Sequence, residues 1–150
     1  MFSRRAALRL GALAALVPVA ACTPDSDESA PPDPLIKLAA QARTDAALAS
    51  AIAEAQPNLA AAATEVANAR TEHAQVLQAE VDRANPPVSS SAPAPPTTAE
   101  VPSDGVTALT EALTSAEKAA ADLVPSVPAY RAGMLGSVAA GCASLRVVLT

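Results

Sequence analysis

VTALTEALTSAEKAAADL, residues 106–123, reads as one amphipathic helix. Val106, Leu109, Leu113, Ala116, Ala120 and Leu123 alternate three and four residues apart without a break. That spacing places all six on one stripe of an α-helix, the side that must be buried. Ser103 or Asp104 supplies a start signal just before it.

Three further Ala-rich segments carry the same periodicity. One begins at Asp33-Pro34, a capping residue followed by proline at the first helical position. Its stripe is Leu38, Ala42, Ala49 and Ile52. The next begins near Pro57-Asn58, with Leu59, Ala63, Val66, His73 and Leu77 on one side. The last begins at Ser126-Val127-Pro128, lined by Val127, Tyr130, Met134, Val138, Leu145 and Val148. The four expected helices span about 35–56, 58–84, 103–123 and 127–149. The last also has Ala129, Gly133, Ser137 and Gly141 at every fourth position, a pattern that lets helices approach closely. Arg131 and Arg146 interrupt it, so a tightly packed soluble helix is preferred to a membrane span.

The connections set the topology. Gln56-Pro57 is either a hairpin turn or a kink in one long helix. Proline pushes the preceding residue out of the helical region. A continuous helix of ~50 residues would also reach ~75 Å, more than the other two helices could cover. A hairpin is therefore expected, with residues 123–128 forming the matching turn. Between the two hairpins lie the 18 residues Asn85–Pro102, rich in Pro, Ser, Thr and Ala. Such a segment favours an extended, solvated backbone of roughly 50 Å, enough to return along a helix of ~40 Å. It also has the composition of an O-glycosylated linker. Two antiparallel hairpins joined by one long crossover give an all-α four-helix bundle with ferritin-like connectivity. Its domain is expected over 35–150, with a core mostly of alanine, and alanine buries little area. Modest stability follows, leaving room for a partner to add to it.

The beginning of the chain reads differently. Arg4, Arg5 and Arg9 precede the apolar stretch Leu10–Ala21, which ends in Val19-Ala20-Ala21-Cys22. A dozen apolar residues suit a signal h-region and fall short of the ~20 of a membrane span. Residues 1–21 are thus expected to be a lipoprotein signal peptide, and Cys22 the lipid-bearing first residue of the mature chain. Arg4 and Arg5 lie in Ser3-Arg4-Arg5-Ala6-Ala7-Leu8-Arg9, similar to a twin-arginine export signal, with general secretion as the alternative. Residues 22–34 are the lipidated cysteine and an acidic, Pro/Ser-rich tether. The expected location is the extracytoplasmic face of the cell membrane, held through acyl chains. Cys22 would then be occupied, leaving Cys142 without an intrachain disulfide partner. Cys142 reads as a small core residue or, alternatively, a redox or intermolecular thiol with its pKa lowered by Arg146.

Charge narrows the partners. The full chain carries −5; without the three arginines of the signal it has seven basic and fifteen acidic residues, or −8. So acidic a surface, with almost no aromatic residues, argues against nucleic acid. An envelope protein is the expected partner class.

Reactive chemistry is sparse. A ferritin-type dimetal centre needs two Glu-x-x-His motifs. Glu72 is followed three residues later by Gln75, and His73 is the only histidine in the chain. No metal and no cofactor are therefore expected. His73 reads as an internally hydrogen-bonded histidine, with Asp45 as its candidate partner. A weak ligand set of His73, Glu72 and Asp45 is the alternative. No nucleophile elbow, phosphate loop or dinucleotide fingerprint occurs, and the chain is read as a non-enzyme.

Arg70-x-Glu72-His73, the Arg-Arg start and Leu135-Gly136-Ser137-Val138-Ala139-Ala140-Gly141-Cys142-Ala143 together resemble the alanine-rich, ferritin-like lipoproteins of unknown function from mycobacteria and related actinobacteria. The resemblance implies a cell-envelope location and a ferritin-like bundle, and brings no catalytic residue. Two functional expectations remain: a lipid-tethered, non-catalytic interaction or structural module, or a small-ligand or metal carrier with a pocket between helices near His73.

Overall fold

A computed structural model describes residues 31–86 and 101–150. Arg4, Arg5, Cys22, most of the tether and most of the linker lie outside these residues. The described chain is helical, with no strand among the described residues. It forms α1 (Pro34–Ala55), α2 (Ala60–Ala84), α3 (Gly105–Leu123) and α4 (Ala129–Val148), with a 3-10 turn at Val124–Ser126.

Local chemistry sets the ends. Asp33 Oδ1 accepts from Leu35 N at 3.0 Å, and Pro34 opens α1. α1 stops at Ala55 because Gln56, before Pro57, turns to φ −126° and ψ 86°. Residues 56–59 form the turn, so α2 starts two residues later than its periodicity suggests. Asp104 caps α3, accepting from Thr107 N at 3.0 Å and from Thr107 Oγ1 at 2.7 Å. Capped at Asp104, α3 starts at Gly105 rather than at 103, and α4 follows Pro128.

Cross-helix contacts fix the directions. At one end Arg131, near the start of α4, donates to Asp33 at the start of α1 (2.9 Å) and to Glu80 near the end of α2 (2.7 Å). At the other end Gln56 Nε2 donates to Pro102 O at 2.9 Å. Gly105, the first residue of α3, sits there against the end of α1: a Cβ on it would meet Ile52 Cγ2 and Gln56 Oε1 at 2.8 Å. The helices therefore run up, down, down, up, and Pro86 and Val101 lie at opposite ends of the bundle. α1 packs on α2 and α3 on α4, with α1–α3 and α2–α4 seams closing the square. The α2–α4 seam is the least extensive of the four.

The core combines Leu35, Leu38, Ile52, Val66, Leu77, Leu109, Leu113, Leu135, Val138 and Leu145 with buried alanines. α4 presents a different side from the expected one. Tyr130 and Val148 are exposed, and the buried positions are Leu135, Val138, Cys142, Leu145 and Leu149. These alternate three and four apart, whereas the steps from Tyr130 to Met134 to Val138 are each of four and rotate off one stripe. The small residues are likewise turned outward. Ala129, Gly133 and Ser137 face solvent, and only Gly141 meets another helix. No helix among the described residues is long and apolar enough to cross a membrane.

Candidate functional site

The polar centre of the bundle is built around Arg70, a residue the sequence reading did not single out as a site. It lies on the apolar stripe of α2, at the step between Val66 and Leu77, and is 2% exposed. Its Nε and Nη2 donate to Asp45 Oδ2 on α1 at 3.1 and 2.8 Å. Its Nη1 lies 3.0 Å from His73 Nδ1 and 3.4 Å from Cys142 Sγ on α4. One guanidinium thus joins three helices. The sequence signal was a charge at position 70 inside the repeat Ala63, Val66, Leu77.

This arrangement changes the partner of His73. The imidazole meets Arg70 rather than Asp45, because the guanidinium lies between them and takes the Asp45 carboxylate. An arginine side chain only donates, so Nδ1 of His73 accepts and the ring is neutral with its proton on Nε2. Burial, then the Arg70 charge, push the imidazole below its ordinary value, and Glu72 pulls weakly the other way. The ring edge abuts α4, where a Cβ on Gly141 would lie 2.9 Å from Nε2. Gly141 is small because the ring needs that space. Glu72 itself faces solvent, outside the cluster.

Asp45 and Cys142 show what burial does to charge. Desolvation raises the Asp45 carboxyl, and Arg70 pulls it back. Desolvation also raises the Cys142 thiol, which is fully buried. Arg146 turns away from it to Glu117 and Thr114 of α3. A buried thiol held in its neutral form is a poor nucleophile. No group of three His, Cys, Asp or Glu residues among the described residues is arranged to hold a metal ion.

A second polar cluster ties the end of the bundle where α1 begins. Glu80 accepts from Arg83 Nε and Nη2 and from Arg131 Nε, all at 2.7 Å. Arg83 also donates to Tyr130 Oη at 3.1 Å and lies 5.2 Å from its ring centroid. These bonds hold the Glu80 carboxyl at about 2, those from Arg83 most and those from Arg131 next.

A groove of about 610 Å3 runs along the other side of the α1–α2 hairpin. Ala46, Ala47, Ala74 and Ala79 line it, with Arg43, Ser50, Thr71, Gln75, Gln78 and Asp82. Arg43 donates to Gln78, which donates to Asp82. His73 is not among its lining residues.

Compared with protein-family models, with curated proteins and with solved structures, the chain shows no match to any of them.

Proposed function

We propose that this chain is a lipid-anchored, non-catalytic module of the cell envelope. In this reading its ferritin-like bundle serves as a scaffold for contact with another envelope protein. The observation that carries the non-catalytic part is the saturation of the buried polar groups by one another. Arg70 engages Asp45, His73 and Cys142 at once, and the thiol and imidazole are both held neutral. Such a network specifies how three helices meet, and among the described residues it commits the free lone pair of the imidazole and the thiol to Arg70 rather than to a cleft.

The address rests on Arg4, Arg5 and the run Val19-Ala20-Ala21-Cys22. Membrane fractionation of the wild type and of Cys22→Ala tests it. The wild type is expected in the membrane fraction and the variant outside it. A variant that still floats with membranes would remove the anchor from the proposal. Crosslinking in the native host, followed by purification, tests the partner; a strictly solitary protein would count against it.

The groove on the α1–α2 hairpin favours a second reading, a small-ligand carrier. Its apolar floor and polar edge are of the kind that hold small molecules. Native mass spectrometry of protein from its own host decides it, since a carrier would leave the cell with bound mass.

A further inference from the structure

His73 is held in one protonation state by its neighbour. The Arg70 Nη1 donor lies 3.0 Å from His73 Nδ1. Protonating Nδ1 would turn that contact into two donors facing each other, with two positive charges at hydrogen-bond distance. Few other charges face the ring. On α2, Glu72 is adjacent and exposed. On α1, Asp45 is already taken by Arg70. On α4, Gly141 and the Cys142 thiol lie against the cluster, and on α3 Glu117 is paired with Arg146. Among the described residues no anion is free inside the seam to accept an imidazolium; the adjacent Glu72 is exposed.

We propose that His73 is an acid-sensitive latch on the α2–α4 seam: protonation breaks its hydrogen bond to Arg70, turns the ring toward solvent and Glu72, and lets α4 part from α2 beside Gly141 and Cys142. Three features support this. The ring is half-buried, so one rotation takes it outside. It fills the space left by Gly141, so its departure removes packing from both helices. The seam it closes is the least extensive of the four. Cys142 lies next to Gly141 and becomes reachable when the seam opens. Burial and then the Arg70 charge push the imidazole itself below the ordinary histidine value.

Cys142 reports the opening. In the full chain carrying Cys22→Ser it is the sole thiol, since the chain has two cysteines. Its rate of labelling by a pyridyl disulfide is measured from about pH 7.5 to about pH 4.5 and divided by that of a small free thiol. The normalised rate is expected to be flat near neutrality and to rise at least about ten-fold in mild acid, with helicity by circular dichroism retained. In His73→Gln, which keeps an acceptor and does not titrate, it is expected to stay flat. A flat wild-type profile, an equal rise in His73→Gln, or a rise that accompanies loss of helicity would overturn the latch. Nitrogen NMR of the single histidine needs no variant: a neutral ring protonated on Nε2 is expected at neutral pH, and an Nδ1-protonated or charged ring would overturn it.

Discussion

Arg70 on α2 places two hydrogen-bond donors on one oxygen of Asp45 on α1, Nε at 3.1 Å and Nη2 at 2.8 Å. Both side chains are almost fully buried. Two such charges cost much to desolvate, and each is tolerable only because of the other. Asp45→Ala is therefore expected to lower stability in urea unfolding by about 3–5 kcal/mol, by leaving the guanidinium uncompensated. The double variant Asp45→Leu, Arg70→Met is expected to recover most of that loss, since apolar replacement of a buried pair is often close to neutral. A double variant no better than Asp45→Ala would show that the pair is not the source of the penalty.

Two glycines of α4 should respond oppositely to the same change. Apart from its chain neighbours and its own helix backbone, none of the described residues lies within 4 Å of where a Cβ on Gly133 would stand, and the residue is exposed. Gly133→Ala is expected to stabilise by about 0.5–1 kcal/mol through helix propensity and a less flexible unfolded chain. At Gly141 the added methyl would meet the His73 ring at 2.9 Å. Gly141→Ala is expected to destabilise by about 1–3 kcal/mol. Thermal melts of the two variants check the contrast.

The charge cluster at Glu80 predicts a dependence on pH. Its carboxyl is held at about 2 against an ordinary 4.5, by bonds from Arg83 and then Arg131. A lowered folded-state value means that the contribution is fully present above the unfolded value of 4.5. It is lost as pH falls from there toward 2. The wild type is expected to melt above Glu80→Gln at neutral pH and to converge with it near pH 2. A gap that stays constant across that range would contradict the assignment.

His73 and Asp45 add opposite slopes. The lowered imidazole leaves the unfolded chain with more bound protons below 6.5, so stability falls as pH drops from there. The raised Asp45 carboxyl binds protons more readily in the folded state, and so acts the other way just above its ordinary 3.8. Comparing the wild type with His73→Gln by urea unfolding at a series of pH values isolates the first slope.

Up-down-down-up connectivity makes the length between Pro86 and Val101 a requirement. α2 is about 37 Å long, and an extended chain covers at most about 3.5 Å per residue. Deleting about half of residues 87–100 leaves too short a span. The shortened chain is expected to lose cooperative unfolding or to form exchanged dimers by sedimentation. An intact, cooperative monomer would contradict the helix directions.

α3 was legible because its apolar residues keep an unbroken spacing of three and four, and Leu109, Leu113, Ala116 and Ala120 are all buried, with Val106 and Leu123 partly so. The hairpin was legible from Pro57, through the constraint on Gln56. α4 was legible as a helix but not in its rotation. Eleven of its 20 residues are Ala, Gly, Ser or Cys and give little contrast between its sides, so Tyr130 and Val148 outweighed Leu135 and Leu149 in the pattern although they are exposed. Asp45 and His73 were found as candidates; Arg70, which organises them, was not. Its one local partner, His73, stands three residues on, but the partners that fix its place in the core, Asp45 and Cys142, stand 25 and 72 residues away. Only the packed helices bring them together.

The most direct measurement is the intact mass of the protein extracted from its native membranes. The expected mass is that of residues 22–150 plus acyl-glyceryl lipid, with the lipid located on Cys22 by fragmentation. An unmodified chain that still carries residues 1–21 would contradict lipid anchoring and with it the proposed place of this protein in the envelope.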